Sequence, residues 1–157
     1  MTSTGIRAAT AGDIAEIRRF GEEHVPPLYT PLIGAEAAHE QLRFWTETQI
    51  TRAVTRNLMV VATQEGRIVG VGQRGRRDPA ADSDHVIYKL YLHPGVRGQG
   101  IGPRLVEALE QQIDADKIYV EHFRENERAA RFYEREGFRT EREENGIVWR
   151  SRPITRP

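Results

Sequence analysis

Residues 85–113 read HVIYKLYLHPGVRGQGIGPRLVEALEQQI, and this stretch restricts the fold more than any other part of the chain. A β-branched and aromatic run passes through a glycine cluster straight into an apolar-periodic segment, so a strand, a tight loop and a helix start follow in order. Within the loop, Arg97-Gly98-Gln99-Gly100-Ile101-Gly102 sets glycine at every second position. Such a main chain can take positive φ angles and lets a ligand approach without meeting a Cβ. The unpaired first-turn N–H groups and the positive end of the helix dipole converge on the same spot, which makes it an anion site suited to phosphate.

Two phosphate-binding readings can be weighed on spacing. A P-loop needs Gly-Lys-Ser/Thr at its end, and here Gly102 is followed by Pro103-Arg104, so that reading fails. A dinucleotide-binding fingerprint comes closer, with Glu121 closing the next strand where a ribose-binding acid would sit. Its glycines, however, should run G-x-G-x-x-G, whereas these run G-x-G-x-G and lie four residues, His93 to Val96, beyond the strand.

The 157 residues fit one domain, taken as 1–157. Lys+Arg and Asp+Glu both number 23, which argues against nucleic acid or a membrane surface as partner and makes any anion selectivity local. There is no cysteine, so disulfides, thiolate metal sites and a cysteine nucleophile are excluded. No metal site is expected. The start of the chain lacks a charged-then-apolar leader and no run is long enough to span a bilayer, so the expected location is cytoplasmic.

In chain order, Gly5 to Ala9 reads as a strand and Thr10 to Asp13 as a capping box opening a first helix, with Ile14, Ile17 and Phe20 on its buried face. Pro26-Pro27 should stop that helix by His24 or Val25, leaving Val25 to Gly34, with three prolines and Tyr29, as an ordered loop. Ala35 to Arg56 reads as a second helix with Leu42, Trp45 and Ala53 on one face and Trp45 in the core. Leu58–Thr63 and Arg67–Arg74 form a hairpin, Asp78 to Asp84 a polar loop, and His85–Leu92 a strand antiparallel to its predecessor. The glycines then open a helix carrying Ile101, Leu105, Ala108, Leu109 and Ile113 on one side, and Lys117–Phe123 returns parallel. A helix over Asn126–Glu136 ends at Gly137, and Phe138–Glu143 and Ile147–Arg152 flank an Asn145-Gly146 turn before Pro153.

Two separated patterns coincide: Arg97-x-x-Gly100-x-Gly102 after Leu90-Tyr91-Leu92-His93-Pro94, and Asn126-x-x-Ala129-x-x-Phe132-Tyr133-x-x-x-Gly137-Phe138. Together they resemble the GCN5-related N-acetyltransferase (GNAT) superfamily. The resemblance implies an α/β (α+β) fold: a mixed, mostly antiparallel, splayed sheet of six to seven strands with about four helices on both faces. It implies acetyl-CoA as cofactor and direct transfer of the acetyl group to a primary amine of a small molecule or peptide. By the same resemblance Leu90, Tyr91 and Leu92 lend backbone groups to the acetyl carbonyl and pantetheine arm, and Arg97, Gly98, Gln99, Gly100, Ile101 and Gly102 cradle the pyrophosphate. Asn126 contacts the arm and Tyr133 reaches the sulfur. A tyrosine, with a reference pKa of about 10, suits protonation of a departing thiolate.

The pattern departs from the family in places. Pro103 lacks an N–H in the first turn, which shifts the expected phosphate affinity toward Arg97 and Arg104. The strand before the glycines offers Val86 and Tyr88 at its expected outward positions, neither of them a base. Glu121 and His122 on the next strand are the remaining candidates, and alternation sends them to opposite faces. The resemblance builds the acceptor pocket from Glu22 to Trp45. A CoA-binding sensor without catalysis, or a dinucleotide-binding domain, are the alternatives, and the sheet edges allow a homodimer.

Overall fold

The computed structural model describes residues 3–75 and 85–155; the polar loop predicted at Asp78 to Asp84 lies outside them. One sheet of seven strands, β1 (Thr4–Ala8), β2 (Met59–Gln64), β3 (Arg67–Gly75), β4 (Val86–Leu92), β5 (Lys117–Phe123), β6 (Arg139–Glu144) and β7 (Ile147–Pro153), runs in the order β1-β2-β3-β4-β5-β7-β6. All neighbours are antiparallel except β4 and β5, which are parallel. Five helices, α1 (Ile14–Ile33), α2 (Ala35–Glu40), α3 (Glu47–Thr55), α4 (Ile101–Glu110) and α5 (Glu127–Arg135), complete the described chain, one more than the sequence suggested. A largely antiparallel sheet replaces the doubly wound parallel sheet that the dinucleotide-binding alternative requires. Among the described residues no helix is long and apolar enough to cross a membrane.

The two faces of the sheet bury separate cores. Ile101, Leu105, Leu109, Ile118, Val120, Tyr133 and Phe138 cluster on the α4–α5 side, and Ile17, Phe20, Val25, Trp45, Ile50 and Val61 cluster on the α1–α3 side. Period-2 alternation in β2 feeds both: Val60 and Ala62 join the first cluster, Met59 and Val61 the second.

The split that defines the fold begins at an irregularity in β4. Between Ile87 and Lys89 this strand advances two residues while β3 advances one, from Arg74 to Gln73, so Tyr88 is the extra residue of a β-bulge. The bulge resets the alternation. Ile87, Leu90 and Leu92 pack on the α4 side, while Lys89 lies over Trp45 and Tyr91 packs with the α1–α3 core. Val86 is consequently buried at 1% exposure instead of facing outward as simple alternation predicted, and Tyr88 alone of that pair is exposed. β4 and β5 pair only at Val86↔Tyr119 and Ile87↔Val120; beyond the bulge the strands part.

The first helices differ most from the sequence reading. α1 does not stop at Val25 but continues through Pro26, Pro27 and Pro31 to Ile33, and the predicted loop is its second half. Proline removes the donors that would pair the carbonyls of Glu22, Glu23 and Pro27, a cost that local propensity cannot meet. Tertiary contacts meet it instead: Val25 is fully buried, Tyr29 packs with the core, and the Thr30 hydroxyl donates to the Pro26 carbonyl at 2.7 Å. The helix predicted over Ala35–Arg56 is broken in two by a 3-10 turn at Gln41–Phe44, and α3 restarts where the Thr46 hydroxyl accepts from the Gln49 N–H at 3.2 Å. Trp45, as expected, is core, at 3% exposure.

The remaining elements follow their local signals. Glu65-Gly66 and Asn145-Gly146 adopt positive φ at both positions and close the two hairpins. Asn126 caps α5 through its Oδ1, which accepts from Ala129 N–H at 3.1 Å, and Gly137 takes φ +89° after the helix. The Asp13 carboxylate accepts the Thr10 N–H at 2.7 Å, as a capping box should, and also binds Arg7 through two oxygens at 2.7 and 2.9 Å.

Candidate active site

A cavity of about 830 Å³ opens where β4 and β5 part, between the second half of α1, the glycine loop and α5. Leu90, Tyr91 and Leu92 form its floor, and Arg97, Gly98, Gly100, Ile101 and Gly102 form one end. Asn126 and Tyr133 line the α5 side. Sequence-predicted residues therefore converge on one groove from three separate elements.

The loop is built to present amides. Gly98 and Gly100 take φ +83° and +78°, and a Cβ at either would meet nothing within 4 Å, so the space beside them is open. Among the described residues no acceptor engages the N–H of Gly98, Gln99 or Gly100. Gly100 is the N-cap of α4, so these donors stand at the positive end of a helix. Arg97 is exposed beside them, its guanidinium made less basic by partial burial and then by the nearby charge of Arg128. Open amides, a helix N-terminus and an arginine make a site whose sign suits an anion.

Arg104, predicted to assist there, instead reaches away from the cavity to donate to the Thr4 carbonyl at 3.2 Å. The Gln99 side chain likewise faces away, its Oε1 accepting from Gln64 Nε2 at 3.0 Å. The Asn126 Oδ1 accepts the cap bond, and its NH₂ group is the donor it can offer the groove.

Tyr133 is 6% exposed and enclosed by rings, with Phe132, Phe138 and His122 centroids at 5.3, 5.4 and 6.1 Å. Burial raises its hydroxyl pKa first, and the neighbouring Tyr29 and Glu121 add to the rise, so the phenol keeps its proton. Across the split, Tyr29 and Tyr91 share a hydrogen bond of 2.8 Å, and burial is the first cause that raises both. Phe123 stands edge-on to Tyr29 at 5.3 Å.

Glu121 and His122 fall on opposite faces of β5, as alternation predicted, and neither lines the cavity. The Glu121 carboxyl is half-buried, which raises its pKa, while a hydrogen bond from Trp149, its cross-strand partner, pulls the other way. His122 is fully committed: Nε2 accepts from Arg150 Nε at 3.0 Å and Nδ1 contacts the Phe123 carbonyl at 2.8 Å. Burial is the first cause that lowers its pKa, so its neutral form with a proton on Nδ1 satisfies both contacts.

One wall of the groove comes from the segment expected to shape the acceptor pocket, but as a helix face that sequence reasoning read as a loop. His24, Pro27, Leu28, Pro31 and Leu32 line it, at the i, i+3, i+4, i+7, i+8 spacing of one helical face. The signal was present, but the prolines that carry it argued against a helix.

A family model described as "Acetyltransferase (GNAT) domain" matches residues 55–140, more than half of the chain. The chain belongs to the GNAT acetyltransferase family. Curated relatives include uncharacterised N-acetyltransferases of Mycobacterium tuberculosis and Mycobacterium bovis, each 34% identical over 87 residues. That alignment covers 54% of this chain, and the chain spans about half the length of those relatives. Among solved structures, PaiA N-acetyltransferase from Thermoplasma acidophilum, in complex with coenzyme A, superposes with a TM-score of 0.83 at 17% identity over 96% of this chain and 99% of that one. A GCN5-related N-acetyltransferase from Rhodopseudomonas palustris gives 0.79 at 20% identity, covering 98% of both. At such identities the structures speak for the fold, so this GNAT chain carries its family's splayed sheet from β1 to β7.

Proposed function

We propose that this GNAT chain is an acetyl-CoA-dependent N-acetyltransferase that transfers the acetyl group directly to a primary amine of a small molecule or peptide. The observation that carries the reading is the convergence of the open Gly98–Gly100 amides, the parting of β4 from β5 and the buried Tyr133 on one groove. Acetyl-CoA supplies the activated acetyl thioester.

The chain's own residues supply the rest. Arg97 and the loop amides hold the diphosphate at the α4 N-terminus. Beyond the bulge, the β5-facing backbone of β4 is released from pairing and can orient the pantetheine arm and polarise the acetyl carbonyl, in company with the Asn126 NH₂. Tyr133 keeps its proton at neutral pH and gives it to the leaving sulfur. Glu121, with its raised pKa, attracts the cationic acceptor and takes a proton from it through water, since it does not line the cavity itself. His122 holds Arg150 and stacks beneath Tyr133, so its part is to position that ring.

The test is calorimetric titration with acetyl-CoA followed by thiol release across a panel of primary amines and amino-terminal peptides. The reading expects micromolar binding and at least one turned-over amine. Tight binding with no transfer to any amine would leave a sensor, and absence of CoA binding would remove the cofactor assignment altogether.

A further inference from the structure

We infer that the hydrogen-bonded pair Tyr29 and Tyr91, backed by Phe123, closes the reactive end of the groove and limits the acyl chain of the donor thioester, admitting acetyl and refusing butyryl. The inference rests on the proposed function, because it concerns the acyl group carried by the same cofactor.

It starts from where the groove stops. Arg97 and the glycine loop line one end of the cavity, and Leu90, Tyr91 and Tyr133 line it where β4 and β5 part. A thioester whose diphosphate lies on the loop brings its acyl carbons toward Tyr91 and Tyr133. Tyr29 and Phe123 do not line the cavity; they stack beyond Tyr91, in the space into which a longer chain would run. Tyr29 stands edge-on to both, its centroid 6.3 Å from that of Tyr91 and 5.3 Å from that of Phe123.

Such a wall does not yield by turning one ring. Trp45, itself 3% exposed, stands edge-on to Tyr91 at 5.3 Å, so Tyr91 is held from a second side. Displacing either tyrosine also breaks the 2.8 Å bond between the hydroxyls and leaves each without its partner in an apolar setting. Extra methylenes forced into a filled site therefore cost affinity instead of adding to it. Two phenylalanines would fill much the same space. What the hydroxyls add is a fixed spacing between α1 and β4 at the point where the split would otherwise widen. Glu121, two positions from Phe123 on the same face of β5, lies near enough to act on the Tyr29 hydroxyl, so the wall also borders the place proposed for the acceptor.

The test is for that reason made on the donor alone. Calorimetry on the full chain, with no amine present, compares acetyl-, propionyl- and butyryl-CoA for the wild type, Tyr29→Ala and Tyr29→Phe. The wild type should bind acetyl-CoA at least about tenfold more tightly than butyryl-CoA, with propionyl-CoA between them. Tyr29→Ala should bring that ratio within about threefold by tightening butyryl-CoA, while acetyl-CoA affinity changes no more than about threefold. Tyr29→Phe, which keeps the ring and frees the pair, should move the ratio part of the way. Equal wild-type affinities for the three donors would overturn the limit and leave the cofactor reading intact. An undiminished ratio in a folded Tyr29→Ala, or equal weakening of all three donors by it, would overturn the limit as well. Should Tyr29→Ala not fold, as a thermal melt would show, Tyr29→Phe decides alone, and an unchanged ratio there counts against the inference. Failure of the wild type to bind any of the three would fell the proposed function itself, and the limit with it.

Discussion

The hydroxyls of Tyr29 and Tyr91, 62 positions apart in the chain, lie 2.8 Å from each other and tie the proline-bearing half of α1 to the diverging half of β4. Either single change, Tyr29→Phe or Tyr91→Phe, leaves the other hydroxyl in an apolar setting without its partner and should cost about 1–2 kcal/mol. The double variant should cost less than the sum of the two. Chemical denaturation of all four proteins measures the cycle, and strict additivity would mean that the bond contributes nothing.

On the proposed function, Tyr133→Phe should lower kcat about a hundredfold or more while changing the dissociation constant of CoA no more than about twofold, because the ring packing survives and only the proposed proton donor is lost. Stopped-flow thiol release and calorimetry give the two numbers separately. A turnover that does not change would strip Tyr133 of the acid role.

Gly100→Ala places a side chain at φ +78° on the open side of the cradle. The fold should lose about 1 kcal/mol, and CoA affinity should drop at least about tenfold as the methyl group enters the space meant for the ligand. Calorimetry and a thermal melt distinguish the two effects.

Lys89 predicts an unusual pH profile. The residue is 6% exposed, its ammonium donates to the Phe44 carbonyl at 2.6 Å and lies 4.5 Å from the centroid of Trp45, and burial lowers its pKa from 10.5 to about 8. The folded form binds its proton less tightly than the unfolded chain, so below about pH 8 both states are charged and the full cost of burial is present. As pH rises from about 8 to 10.5 that cost disappears, a gain of up to about 3 kcal/mol from this group alone. Lys89→Met should flatten this part of the profile. Denaturation midpoints at pH 7 and pH 10 for both proteins test it, and parallel profiles would refute the assignment.

Asp13 works in the opposite direction. Its carboxyl is held down to about 2, first by hydrogen bonds from Arg7, so its contribution is complete above about pH 4 and is lost as pH falls toward 2. Because the Arg7 side chain is 46% exposed, solvent screening limits the amount to about 1 kcal/mol. Asp13→Asn should remove that share of the acid transition, measurable as a smaller loss of thermal midpoint between pH 5 and pH 2.5.

Elements ruled by local chemistry were legible in the sequence. The Glu65-Gly66 and Asn145-Gly146 turns, the Asn126 cap, the positive-φ glycine loop and the β4–α4–β5 unit all stand where their residues put them, because each is decided within a few positions. Long-range packing was not legible. The second half of α1 is helical only because Val25 and Tyr29 are held from outside, and its groove-lining face was hidden behind the prolines. Gly21 is the same kind of case. A Cβ there would stand 2.3 Å from the Trp45 ring, a closeness between α1 and the turn before α3 that no local pattern announces. The Glu121 and His122 alternation was readable, yet the Arg150 contact that occupies His122 comes from β7, 28 residues away.

The bulge in β4 gives that strand two frames, one before Tyr88 and one after. Were the strand to keep Tyr88 and pair without the bulge, continuous pleating would turn Leu90 and Leu92 toward Trp45 and send Tyr91 under α4, exchanging the greasy and the hydroxylated linings of the groove. The one unpaired position, rather than the identity of any side chain, thus determines which surface of β4 the groove presents.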